Sequence, residues 1–139
     1  MNKIDEGQKK TLTILWMALT GSIFIYGLVG YISQQNVTHE TPIDQTTLIV
    51  LGIAAAMVVG AVFFVIPKAI KPKTKAHLFS FCIIQWALIE AIAVLGLLSY
   101  FLGGPLSIFL TFLGAATIFM VVLLPTEIRL NELLREDIY

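Results

Sequence analysis

One acidic residue stands apart from the rest. Asp5, Glu6, Glu40, Asp44, Glu127, Glu132, Glu136 and Asp137 fall in polar segments, whereas Glu90 lies inside a long apolar run. It sits about twelve residues from either end of Leu78–Leu102, hence about 18 Å of helix from each end. An acidic side chain at that depth in lipid costs about 2.5–3.5 kcal/mol on insertion scales. Desolvation favours the neutral acid over the anion, so a mostly protonated carboxyl is expected. A group that is neutral in lipid and ionises beside a wet partner can carry a proton. The same group can instead be hydrogen-bonding glue between helices, and both readings stay open.

The other polar residues of the apolar runs carry weaker signals. Gln85 could hydrogen-bond across helices, and His77 stands at the edge of its span. His39 lies in a different loop on the opposite side, so the two histidines cannot clasp one haem or metal. Cys82 reads as a small apolar residue. Tyr26, Tyr31, Tyr100 and Trp16 read as packing and interface anchors. No Gly-rich phosphate loop and no nucleophile–base arrangement is visible, so neither an enzyme nor a cofactor is expected.

The elements that position Glu90 follow from composition. Of 139 residues, 58% are hydrophobic and 13% charged, and the mean hydropathy is +0.88. A soluble domain carries about 25% charged residues, and so small a chain has little interior in which to hide this much apolar surface. Lipid is therefore the expected solvent. Nine Lys+Arg balance nine Asp+Glu, which gives no net field to draw nucleic acid. The single cysteine excludes a disulfide within the chain.

A bilayer core needs about 20 apolar residues in helical form. Leu12–Ile32, Thr47–Ile66, Leu78–Leu102 and Leu106–Leu124 qualify. The first run is too long for a signal-peptide core and no small-x-small cleavage site follows it, so it reads as a retained span. Asp44 offers an N-cap for the second helix, and Pro67 and Pro72 are expected to break helix after it. Gly103-Gly104-Pro105 reads as a tight turn. Every basic residue falls at the N-terminus, in the loop holding Lys68, Lys71, Lys73 and Lys75, or in the C-terminal tail. Four spans place these three regions on one side, which the positive-inside rule makes cytoplasmic. A multi-pass protein of a cell (inner) membrane with both termini inside is expected, and the four lysines could also attract anionic headgroups. The tail 126–139 carries Ile128, Leu130, Leu133, Leu134 and Ile138 among charges, which suits a short amphipathic helix on a membrane or partner, or a solvated extension of the fourth span. Asn36-Val37-Thr38 matches a glycosylation sequon, a pattern common by chance.

Spans one and three align without gaps, with Ala18, Leu19, Ile23, Leu28 and Tyr31 lying over Ala87, Leu88, Ile92, Leu97 and Tyr100. The predicted fold is thus an all-α integral membrane protein whose four helices form two tandem, parallel-repeat hairpins: 1–67, then 68–125 with Glu90. In the repeat the counterpart of Glu90 is Gly21. If the hairpins pack pseudo-symmetrically, Gly21 leaves space and Ser22 or Thr20 offers a hydroxyl to Glu90. Gly52, Ala56 and Gly60 form a small-residue stripe suited to close helix packing, within the chain or between chains. Ala87 and Ala93 leave room for a helix to approach Glu90.

The run Leu88-Ile89-Glu90-Ala91-Ile92-Ala93-Val94-Leu95-Gly96-Leu97-Leu98 resembles the carboxylate-bearing helix of rotary ATPase proteolipids. The duplicated hairpin with one carboxylate is similar to the V-type form. The resemblance implies a homo-oligomer in which Glu90 binds the transported ion, with H⁺ favoured because Ala91 replaces the hydroxyl residue of Na⁺ versions. This chain lacks the family's Gly-rich first helix, and Glu90 opens its hairpin where the family's carboxylate closes it. Two other classes compete. One is a non-transporting subunit or scaffold of a larger membrane complex, bound to other membrane subunits, with Glu90 as a neutral hydrogen-bonding group. The other, ranked last, is a small multidrug-type exporter, whose members carry the membrane Glu in the first span.

Overall fold

The computed structural model describes residues 4–34, 43–69 and 75–135, of which the side chains of Lys75, Leu134 and Arg135 are not described. Among the described residues it is all-helical, at 90% helix. The order is α1 (Glu6–Gln34), α2 (Gln45–Gly60), a π-helical stretch (Ala61–Val65), α3 (Ile66–Ala69), α4 (Lys75–Phe101), α5 (Leu106–Val122) and α6 (Glu127–Arg135). Three helical stretches are long and apolar enough to cross a membrane: Glu6–Gln34, Gln45–Ala69 and Ala76–Phe101. A fourth is reached when α5 is counted together with the segment beyond its 76° bend. The helices outrun the apolar stretches by a turn or more at several ends, because backbone hydrogen bonding continues where hydropathy stops.

Register follows from the contacts. Trp16 meets Met120, Gly27 meets Leu113 and Gly30 meets Phe109, so α1 runs antiparallel to α5. Trp86 meets Leu123 and Gly96 meets Phe112, so α4 is antiparallel to α5 and parallel to α1. Gln85 meets Val62 at one end and Ile43 meets Gly103 at the other, so α2 opposes α4. The chain therefore runs up, down, up, down. α4 is the hub: α5, α1 and α2 each pack against it, while α1 and α2 find their main contacts on α4 rather than on each other. The described basic residues Lys9, Lys10, Lys68 and Arg129 all gather at the end of the bundle where α1 and α4 start.

Small residues set the close approaches, though not the stripe on α2. A Cβ on Gly96 would lie 2.5 Å from the Phe112 Cβ, so only glycine lets α4 and α5 meet there. Ala93 is wholly buried in the same core. At the α4–α5 turn Gly104 N–H bonds Ser99 O at 2.9 Å and Gly103 N–H bonds Tyr100 O at 3.0 Å, a Schellman closure that needs the positive φ of 92° at Gly103. Gly52 and Gly60 have no atom within 4 Å of a would-be Cβ. Ala56 is exposed, and with Gly52 it lines a groove of about 250 Å³ between α2 and α5. Ala87 is also exposed. Among the described residues, then, the stripe makes no close approach to another helix.

Pro67 does not end its helix as expected. The helix runs on to Ala69 through the π-helical stretch, where Ile66 N–H reaches back five residues to Ala61 O. In that pattern the donor for Val62 O would come from residue 67, and proline has none. The buried Gln85 amide supplies it instead, its Nε2 donating to Val62 O at 3.0 Å. A neighbouring helix thus satisfies the carbonyl that proline orphans, as low-dielectric surroundings demand. Asp44 does stand at the N-cap of α2 but makes no side-chain capping bond. Pro72, Lys71, Lys73, His39 and the sequon at Asn36 lie outside the described residues.

Both tryptophans finish α5. Trp16 Nε1–H donates to Met120 O at 2.9 Å and Trp86 Nε1–H donates to Leu123 O at 3.1 Å. These are carbonyls at a helix end, which the helix itself leaves without donors. Pro125 then stops the chain and α6 turns away, with Leu130 fully buried and Ile128 74% exposed. The tail is accordingly a separate helix and not an extension of α5.

Candidate functional site

Glu90 is half-buried on α4, in the seam with α1. Trp86 and Ala93, one turn away on either side, are wholly buried, and Ala87 and Val94 face outward. Two hydroxyls from α1 converge on one carboxyl oxygen. Ser22 Oγ lies 2.5 Å and Tyr26 Oη 2.8 Å from Glu90 Oε1. Ser22 and Tyr26 are four residues apart, which puts both on one face of α1. Ser22 Oγ also lies 2.7 Å from Leu19 O of its own helix. Among the described residues Glu90 Oε2 has no hydrogen-bond partner, and the one ion pair, Lys9 with Glu127 at 3.1 Å, is elsewhere.

A count of protons shows what this cluster can do. Ser22 has one hydroxyl proton and stands between two oxygens, Leu19 O and Glu90 Oε1. Leu19 O can only accept. With Glu90 ionised, Ser22 and Tyr26 both donate to Oε1. With a proton on Oε1, that O–H donates to Ser22 Oγ and the serine proton turns to Leu19 O, while Tyr26 still donates to Oε1. Every hydroxyl proton has an acceptor in both states, and no heavy atom needs to move. The site can therefore gain or lose one proton by turning a single hydroxyl.

Of the expected partners, Ser22 meets Glu90. Thr20 does not: its buried hydroxyl has no hydrogen-bond partner among the described residues. Gly21 has open space where a Cβ would be, so it does not serve as a slot for the carboxyl. Tyr26 is the partner that a reading of tyrosines as packing anchors passes over. The available signal was its position one helical turn beyond Ser22.

A second polar cluster lies nearer the basic end. Gln85, 3% exposed, holds Val62 O with its Nε2 and accepts from Arg129 Nη2 at 3.0 Å with its Oε1. Burial disfavours the charged guanidinium and pulls the Arg129 pKa below its ordinary value.

Fold and site define a class: an all-helical protein with several helices of membrane-crossing length and a half-buried carboxyl between two of them. No protein-family model, curated protein or solved structure matches this chain.

Proposed function

We propose that this chain is a multi-pass membrane protein in which Glu90 binds and relays a proton from within the α1–α4 seam. The observation that carries the reading is the pair of hydroxyls on one carboxyl oxygen. Ser22 and Tyr26 both lie within hydrogen-bond distance of Oε1, and Ser22 also reaches Leu19 O, so Oε1 can take or give a proton while every hydroxyl keeps an acceptor. Among the described residues no basic group lies within ion-pair distance of Glu90, which agrees with a carboxyl that cycles between neutral and charged forms. A proton suits the site better than a metal cation, because two hydroxyls and one carboxyl oxygen fall short of the ligand count metals take.

The proposed orientation puts the Lys9, Lys68 and Arg129 end in the cytoplasm, by the positive-inside rule. The unfilled Gly52, Ala56 and Gly60 stripe is where we place contact with a second copy, in a proteolipid-like homo-oligomer. Anionic headgroups near Lys68 and the lysine loop belong to the same reading.

The test uses the full chain in liposomes, treated with a lipid-soluble carbodiimide that attacks protonated carboxyls. Modification at Glu90 should fall as pH rises, and an imposed proton gradient should dissipate faster than through vesicles holding Glu90→Gln. Modification independent of pH, or equal dissipation by both proteins, would refute proton carriage.

A second reading has its own support. Both hydroxyls come from α1, so Glu90 also ties α1 to α4, as a neutral residue of a non-transporting subunit would. Under that reading Glu90→Gln weakens assembly and no proton flux ever depends on residue 90.

A further inference from the structure

Arg129 is a cation in partly buried surroundings with most of its donors unspent. Its guanidinium has five N–H donors, and among the described residues the one side-chain bond it makes is to Gln85 Oε1. Among the described residues no carboxylate lies within ion-pair distance of it. A half-desolvated charge without a counter-ion is unfavourable, and an anion supplied from outside offsets that cost. The guanidinium is also aimed. Gln85 is nearly inaccessible and its amide is committed at both ends, to Val62 O and to Arg129, so the arginine cannot swing freely.

Position narrows the anion. α6 leaves α5 at 76° and lies across the basic end of the bundle. Ile128, beside Arg129 in sequence, is 74% exposed. Lys68 follows Val62 by six residues, about 9 Å of helix rise toward the same end. A planar donor fork, a second cation at the same end of the bundle and an exposed apolar side chain match a group that is anionic at one end and greasy at the other. We propose that Arg129, oriented by Gln85, binds the phosphate of an anionic phospholipid between α4, α6 and the π-helical end of α2. Arg129 is the specific contact and Lys68 adds a weaker attraction. The proposal rests on membrane embedding and is independent of proton binding at Glu90.

The experiment is native mass spectrometry of the full chain in detergent, titrated with phosphatidylglycerol, phosphatidylcholine or inorganic phosphate. The wild-type chain should retain phosphatidylglycerol about tenfold over phosphatidylcholine, the size expected when one charge-assisted forked contact is made. Arg129→Gln should lose that preference, Arg129→Lys should keep part of it, and Glu90→Gln should leave it unchanged. Equal retention of the two lipids by the wild-type chain overturns the proposal even if the Gln variant fails to fold. So does an undiminished preference in a folded Arg129→Gln. Inorganic phosphate bound in an Arg129-dependent way, with no lipid preference, overturns the lipid assignment and leaves a site for soluble phosphate. Extraction of the chain from membranes by alkaline carbonate would remove the embedding on which the lipid depends, whatever Arg129 binds.

Discussion

Replacing Tyr26 with Phe removes one of the two hydroxyls on Glu90 Oε1 and leaves the ring in place. The phenol crosses the α1–α4 seam at 2.8 Å, so its loss takes away one inter-helix hydrogen bond and leaves Oε1 with Ser22 alone. Such a bond is worth about 0.5–1.5 kcal/mol between neutral groups and about 1.5–3 kcal/mol when one partner is charged. Tyr26→Phe should therefore cost about 0.5–3 kcal/mol in detergent unfolding. Most of that loss should vanish when the same change is made in a Glu90→Leu background. The assay is a double-mutant cycle of unfolding midpoints on the full chain. An equal loss in both backgrounds would show that the Tyr26 hydroxyl does not act through Glu90 and would undo the tie between α1 and α4.

Three further outcomes follow from the packing. Gly96→Ala forces a methyl to within 2.5 Å of the Phe112 Cβ and should cost about 1–3 kcal/mol in detergent unfolding, whereas Gly52→Ala should be near neutral in the monomer. Gln85→Leu strands Val62 O and should cost about 1–3 kcal/mol; much of that loss should vanish in a Pro67→Ala background, where the restored N–H can serve the carbonyl, as a double-mutant thermal-unfolding cycle would show. Ser22→Ala removes the turning hydroxyl, so proton flux should fall well below that of Tyr26→Phe; equal fluxes from the two variants would deny Ser22 a distinct part.

The helices of membrane-crossing length were legible because a long unbroken apolar run has few other ways to satisfy its backbone. Glu90 was legible for the complementary reason, since its charge has no business in such a run unless something holds it. Ser22 could be guessed from the alignment of spans one and three. Tyr26 could not be separated from other tyrosines, because packing and hydrogen bonding use the same residue and only the rotation of α1 against α4 decides. The fate of Pro67 was likewise hidden. Its missing donor is a property of the sequence, but the amide that compensates comes from Gln85, 18 positions later on a different helix. The α2 stripe shows the reverse: small residues advertise close packing without saying on which partner.

One consequence concerns thickness. α5 has 17 residues and is about 25 Å long, against about 30 Å for the hydrocarbon slab of a bilayer. α1 is about 43 Å long, but its apolar run Leu12–Ile32 covers only about 31 Å of that. Under the proposed embedding α5 is therefore the one short wall. Beside it the leaflet on the α6 side would pinch inward, or the bundle would lean, at a cost of fractions of a kcal/mol per ångström of mismatch. Such a wall would favour thin bilayers over thick ones and dimple the leaflet on one flank only.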